Sequence, residues 1–205
     1  DTADTYGNGR GETQLANAFR GKRDRVVYST KIGYDIYDPG AQSARRGQSE
    51  LPQKFDRDYM RFAVDKCLER LETDHIDVLQ LHNIKMEHVR DAAIWQALRE
   101  MQSEGLIGVW GAAFGPAIGW LYEAVELCER ESDVGTIQMI WNILEQHPGT
   151  AMIDAAREHA PNCAFNIRVT RVGNARGQIH GRNRVRRKRP SASSPAFVAD
   201  EWPQE

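Results

Sequence analysis

Four side chains whose types suit acid–base chemistry stand at the ends of short apolar runs or in the turn that opens the chain. Asp1 and Tyr6 lie in Asp1-Thr-Ala-Asp-Thr-Tyr-Gly7, Lys31 closes Arg25-Val-Val-Tyr-Ser-Thr-Lys31, and His82 closes His75-Ile-Asp-Val-Leu-Gln-Leu-His82. A carboxylate, a phenol, an ammonium and an imidazole can between them donate, accept and steer a proton. Singly, each has an ordinary explanation. A tyrosine near a turn is commonly structural, a strand-end lysine is commonly solvated, and a lone strand-end histidine is commonly a hydrogen-bonded core residue. Their meaning depends on whether the surrounding elements bring them together.

Leu15 and Phe19, four apart, mark a short helix, and residues 25–31 are apolar and β-branched enough for a buried strand. Residues 33–55 are rich in Gly, Pro, Ser and Gln, a long irregular segment that suits either a lid or a solvated surface insertion. Asp56 can cap a helix whose Met60, Val64, Cys67, Leu68 and Leu71 share one face. A strand over 75–82, a helix over 89–101, a strand over 106–112, a helix over 120–130, a strand over 135–142 and a helix over 151–159 follow. Such alternation predicts an α/β fold with a parallel sheet, either a barrel or a doubly wound sheet. No Gly-x-Gly-x-x-Gly opens a helix after a strand, which favours the barrel. In a parallel barrel, catalytic side chains sit at the C-terminal ends of the strands, where Lys31 and His82 fall.

In order and spacing these stretches resemble the aldo-keto reductase family. The matching runs are Asp1-Thr-Ala-Asp-Thr-Tyr-Gly7 with Gly9-Arg-Gly-Glu12, then Val26-Val-Tyr-Ser-Thr-Lys31, then Ile76-Asp-Val-Leu-Gln-Leu-His82-Asn83. Gly111-Ala-Ala-Phe-Gly-Pro-Ala-Ile-Gly-Trp120 and Ile137-Gln-Met-Ile-Trp-Asn-Ile-Leu-Glu-Gln146 look like the family's fifth and sixth barrel strands with their loops. The resemblance implies a partial (β/α)8 TIM barrel, lacking the first and last strands. It also implies an oxidoreductase that reduces an aldehyde or ketone by hydride transfer from NADPH, with NADH possible. Asp1, Tyr6, Lys31 and His82 would be the catalytic tetrad. Tyr6 would protonate the carbonyl oxygen, and Lys31 would ease ionisation of a phenol that alone titrates at about 10. Asp1 would hold the lysine, and His82 would orient the carbonyl. Asp1 and Gln138 would be cofactor-binding, Gln138 bonding the nicotinamide carboxamide. Where much of the family has a Ser-Asn pair after the fifth strand, this sequence has Ala113 and Phe114, so contact there must come from the backbone. No metal is implied.

The 205 residues carry a formal net charge of −2, but residues 1–167 hold 18 Lys and Arg against 26 Asp and Glu, while residues 168–189 hold 8 Arg and 1 Lys without an acid. The expected division is a partial barrel over 1–167 and a disordered or out-of-frame basic tail over 168–205, with no counterpart of the family's last two strands after Ile167. A shifted reading frame is the preferred account of the tail. A solvated appendage and a nucleic-acid contact through residues 184–189 are the others. A complete barrel takes about 250 residues, so two open edges and a marginal fold are expected of this chain alone. A catalytically inactive reductase remnant serving as a binding module is the alternative function. No window approaches the roughly 18 apolar residues of a membrane span, and the first ten residues are polar. A soluble, cytoplasmic protein with a small-molecule carbonyl substrate is expected. Cys67, Cys128 and Cys163 are too widely spaced to indicate a disulfide framework or a thiolate zinc site.

Overall fold

A computed structural model describes residues 1–40, 50–115, 122–144 and 146–168. The basic segment, beyond Arg168, lies outside them. Five strands form one sheet: β1 (Ser29–Ile32), β2 (Ile76–His82), β3 (Ile107–Ala113), β4 (Thr136–Ile140) and β5 (Ala164–Arg168). Helices α1 (Arg10–Ala18), α2 (Arg57–Leu71), α3 (Met86–Val89), α4 (Ala92–Ser103), α5 (Glu123–Arg130) and α6 (Gly149–His159) alternate with them.

All neighbouring strands pair in parallel, and their spatial order is their chain order, β1-β2-β3-β4-β5. A doubly wound sheet reverses its strand order at a switch point. A sheet wound in one direction throughout places every crossover helix on the same side, which is the wall of a barrel. Before β1 the backbone of Thr2 and Asp4 donates to Ser29 O (2.9 Å) and Lys31 O (3.0 Å), so residues 2–4 run along the free edge of β1.

Sequence chemistry accounts for the elements. The Asp56 carboxylate accepts from Tyr59 N at 2.9 Å and caps α2, whose Met60, Ala63, Val64, Cys67 and Leu71 are buried against the sheet. Asp91 caps α4 by accepting from Ala93 N, which splits the helix expected over 89–101 into α3 and α4. The outer face of β3 carries Trp110, whose ring meets Trp95 of α4 with centroids 5.7 Å apart. Gly111 is required by close strand approach, since a Cβ there would fall 1.7 Å from Thr136 O.

The structure corrects one sequence expectation and trims others. Ala164–Arg168 pairs with β4 and takes the seventh barrel position, where no strand was expected. Ala-Phe-Asn-Ile-Arg is short, and the arginine-rich run that follows masks its periodicity. Within the expected lid, Tyr34 and Gln53 form an antiparallel bridge, with Lys54 N donating to Gly33 O and Asp35 N to Pro52 O. Residues 33–36 and 51–55 are therefore a strap lying on the sheet, and residues 41–49 lie outside the described part. No helix among the described residues is long and apolar enough to cross a membrane.

Candidate active site

Register places the site. Lys31 stands opposite Gln80, and His82, Ala113 and Gln138 stand side by side across β2, β3 and β4. Side chains alternate faces along a strand, so Lys31, Gln80, His82, Thr136 and Gln138 share one face, opposite to Leu79, Leu81, Trp110 and Ile137. The barrel interior is thus lined with polar groups at the C-terminal end of the strands, and its outer face is apolar.

Lys31 is fully buried, and its ammonium donates to Asp1 Oδ1 at 2.6 Å and to Thr2 O at 2.7 Å. A buried cation is tolerated only with such compensation. The Asp1 side chain is one-third exposed, and its second oxygen accepts from Gln138 Nε2 at 3.2 Å. Tyr6 presents its ring 5.7 Å from Lys31 Nζ, and the Tyr6 and His82 rings meet edge-on with centroids 6.0 Å apart. Asp1, Tyr6, Lys31 and His82 therefore come together from three separate segments, and Gln138 joins them from β4.

Local structure fixes Tyr6. Tyr6 N donates to Ala3 O, Gly11 N donates to Tyr6 O, and Gly7, Asn8 and Gly9 adopt left-handed conformations that turn the chain into α1. At the end of β3, the Ala113 carbonyl accepts from Asn83 N at 2.7 Å and Phe114 N donates to Gln138 O at 2.8 Å. These backbone groups, expected as cofactor contacts, are already engaged within the sheet.

Beneath the turn lies a buried polar cluster. Glu12, fully buried, accepts from Thr30 Oγ1 at 2.5 Å and from Arg70 Nε at 2.6 Å. Arg70 also donates to Tyr37 Oη at 2.9 Å. Asp4 is equally buried, and among the described residues neither of its carboxyl oxygens meets a donor in full hydrogen-bond geometry. Burial, and after it the Glu12 charge, push the Asp4 carboxyl well above the usual carboxylate range, against weaker opposition from Thr5 N–H, Arg70 and Lys31. The Cys67 thiol beside them is pushed up by burial, then by Glu12 and Asp4. The motif glutamate Glu12 was visible in the sequence, but Asp4, Arg70 and Cys67 as its neighbours were not.

A raised carboxyl keeps its proton in the folded state when the unfolded chain has lost it. Stability should therefore fall as pH rises from about 4, where a free aspartate titrates, through the raised value. Asp4→Asn, which cannot ionise, should flatten that profile, with a Tm advantage over the parent that grows from pH 5 to pH 8. Each kcal/mol corresponds to about 2–4 °C at this chain length. Superimposable thermal scans of the two proteins across that range would show that Asp4 is ionised and compensated.

The sequence matches the family model described as Aldo/keto reductase family over residues 1–198, a span that continues past Ile167 into the basic segment. The chain belongs to the aldo-keto reductase family. It is 31% identical over 149 residues to the uncharacterized oxidoreductase YqkF of Bacillus subtilis, covering 72% of this chain and 44% of that protein. It is 32% identical over 151 residues to D-arabinose 1-dehydrogenase of Saccharomyces cerevisiae, covering 68% and 39%. The holo form of aldo-keto reductase AKR11C1 from Bacillus halodurans superposes with a TM-score of 0.64 at 25% identity, over 80% of this chain and 50% of that one. The chain thus spans less than half the length of these two sequence relatives. Among the described residues no group of three or more His, Cys, Asp or Glu could hold a metal ion.

Proposed function

We propose that this chain carries the proton-transfer half of an NADPH-linked aldo-keto reductase acting on an aldehyde or ketone, with Tyr6 as proton donor and Asp1, Lys31 and His82 completing the tetrad. The observation that carries this reading is the fully buried Lys31 ammonium, bound by Asp1 Oδ1 and Thr2 O and placed near the Tyr6 ring. As charge develops on the substrate oxygen, the Tyr6 hydroxyl gives up its proton to it. The nearby ammonium favours the phenolate left behind, and Asp1 keeps that ammonium in place without the cost of reorganising water. His82, half enclosed by the Tyr6 and Tyr34 rings, orients the carbonyl.

The donor set suits a nicotinamide. Gln138, buried and already bonded to Asp1, offers a carboxamide beside a carboxylate, the complement of a primary amide. Gln138 and Asp1 would hold that amide, and a nicotinamide cofactor supplies the hydride when bound. A yeast relative is named D-arabinose 1-dehydrogenase, which adds an aldose, oxidised at C1 with the hydride passing to the oxidised cofactor, as a candidate substrate for the reverse direction.

Titration of the 205-residue chain with NADPH tests the proposal. Quenching of protein fluorescence with micromolar affinity, together with aldehyde-dependent loss of NADPH absorbance, is expected. No response at millimolar cofactor would overturn it in favour of an inactive remnant that acts as a binding module. Competition by NADH in the same assay ranks the two cofactors.

A further inference from the structure

The end of β2 is held by more than its ladder. The Gln53 carboxamide donates from Nε2 to His82 O and to Asn83 O, both at 2.9 Å. Asn83 follows with φ of 52°, a left-handed conformation that takes the chain out of the strand. Two successive carbonyls at that bend are thus bound by one NH2 group, whose two hydrogens match them one to one. Gln53 belongs to the strap through its bridge to Tyr34. Tyr34 in turn sets its ring edge-on to His82, with centroids 5.3 Å apart, and accepts from Asn83 Nδ2 at 3.0 Å. Glu50 Oε1 accepts from the same Nδ2 at 3.3 Å.

We infer that Gln53 is a positioning residue for His82, fixing the imidazole from the strap side by clamping the carbonyls of His82 and Asn83 and seating Tyr34 against the ring. The inference rests on the proposed carbonyl-reductase reading, within which His82 orients the substrate. The ladder to β3 fixes the backbone of His82 from one side, through Asn83 N to Ala113 O. The two Gln53 bonds fix it from the other. Without them the two carbonyls at the left-handed bend lose their clamp, leaving the Asn83 Nδ2 bonds to Tyr34 and Glu50 to hold the strap against His82. A displacement of about 1 Å at an orienting group costs on the order of 10²-fold in rate.

Gln53→Met keeps the shape of the side chain and removes both donors, and Gln53→Glu replaces the donors by acceptors facing carbonyls. Both are measured against the parent chain with 13C-labelled histidine, the His82 signal being assigned by its loss in His82→Gln among the six histidines. In both variants the His82 Cε1–Hε1 signal should shift or broaden and its titration midpoint should move, while the other five signals and NADPH affinity stay within about twofold. The value of kcat/KM for an aldehyde should fall about 10–100-fold. Unchanged His82 signals in folded Gln53→Met protein overturn the inference whatever the turnover. Movement of all six signals together overturns it as well, because Gln53 would then support the fold at large. A parent chain that binds NADPH but reduces no carbonyl defeats the functional reading instead, and the histidine spectra still decide the role of Gln53.

Discussion

Replacing Tyr6 by Phe should reduce carbonyl turnover about 10³-fold or more while leaving NADPH affinity within about twofold. General acid catalysis contributes about 10²–10⁴-fold, and in the proposed mechanism the Lys31 ammonium has no phenolate left to favour once the hydroxyl is gone. The fold should be unaffected. The ring is 38% exposed, and the turn that carries it is closed by backbone bonds, Tyr6 N to Ala3 O and Gly11 N to Tyr6 O, which the substitution does not touch. In the proposed reading the nicotinamide amide is held by Gln138 and Asp1, whose mutual contact, Gln138 Nε2 to Asp1 Oδ2, does not involve the hydroxyl that the substitution removes. Steady-state kinetics with a generic aldehyde, alongside a fluorescence titration of cofactor, separates the two effects. Retention of more than a tenth of the parent kcat would remove Tyr6 from the role of proton donor.

Replacing Arg70 by Met should destabilise the chain by about 3–5 kcal/mol, the cost of leaving one member of a buried ion pair without its partner. Glu12 is fully buried and would keep only uncharged neighbours, the Thr30 hydroxyl and the Cys67 thiol, in place of the guanidinium, with the Asp4 carboxyl close by. At this length such a loss lowers Tm by roughly 6–20 °C. The double variant Glu12→Gln, Arg70→Met should recover much of it, because removing both members is far cheaper than orphaning one. Denaturant unfolding of the parent, Glu12→Gln, Arg70→Met and the double variant forms the four-member cycle. A single-variant cost below 1 kcal/mol would show that Arg70 is not the compensating cation. Tyr37 loses a donor in the same substitution, and Tyr37→Phe measures that share separately.

Most of the wall of the barrel could be read from the residues, since α2 and α4 have helical periodicity and side-chain caps and β2 and β3 are short apolar runs. The end of β2 at His82 and the end of β1 near Lys31 fell within a residue or so of where the apolar runs stop. β5 was missed because a five-residue strand beside a charge run has no periodicity of its own, and pairing with β4 decides it. The lid was read from composition, which registers turn residues but is blind to the Tyr34–Gln53 bridge that straps its two ends down. In the site, motif order named Asp1, Tyr6, Lys31 and His82. Lys31's second acceptor is a backbone carbonyl, Thr2 O, which residue type cannot reveal. Nothing in the residues around Asp4 along the chain marks it as buried. Its burial arises from the packing of α1 and α2 over residues 2–4, a tertiary fact with no local signal.

The hydrogen-bonded chain Lys31–Asp1–Gln138 joins β1 to β4 with two strands lying between them. It works as a strut across a curved wall. If the arc of strands flattens, the distance from β1 to β4 grows, and the Lys31–Asp1 and Asp1–Gln138 contacts must lengthen. Curvature and chemistry are then one mechanical variable. A change of curvature would therefore reach the Lys31 ammonium, 5.7 Å from the Tyr6 ring, through the strut rather than through any contact with Tyr6 itself.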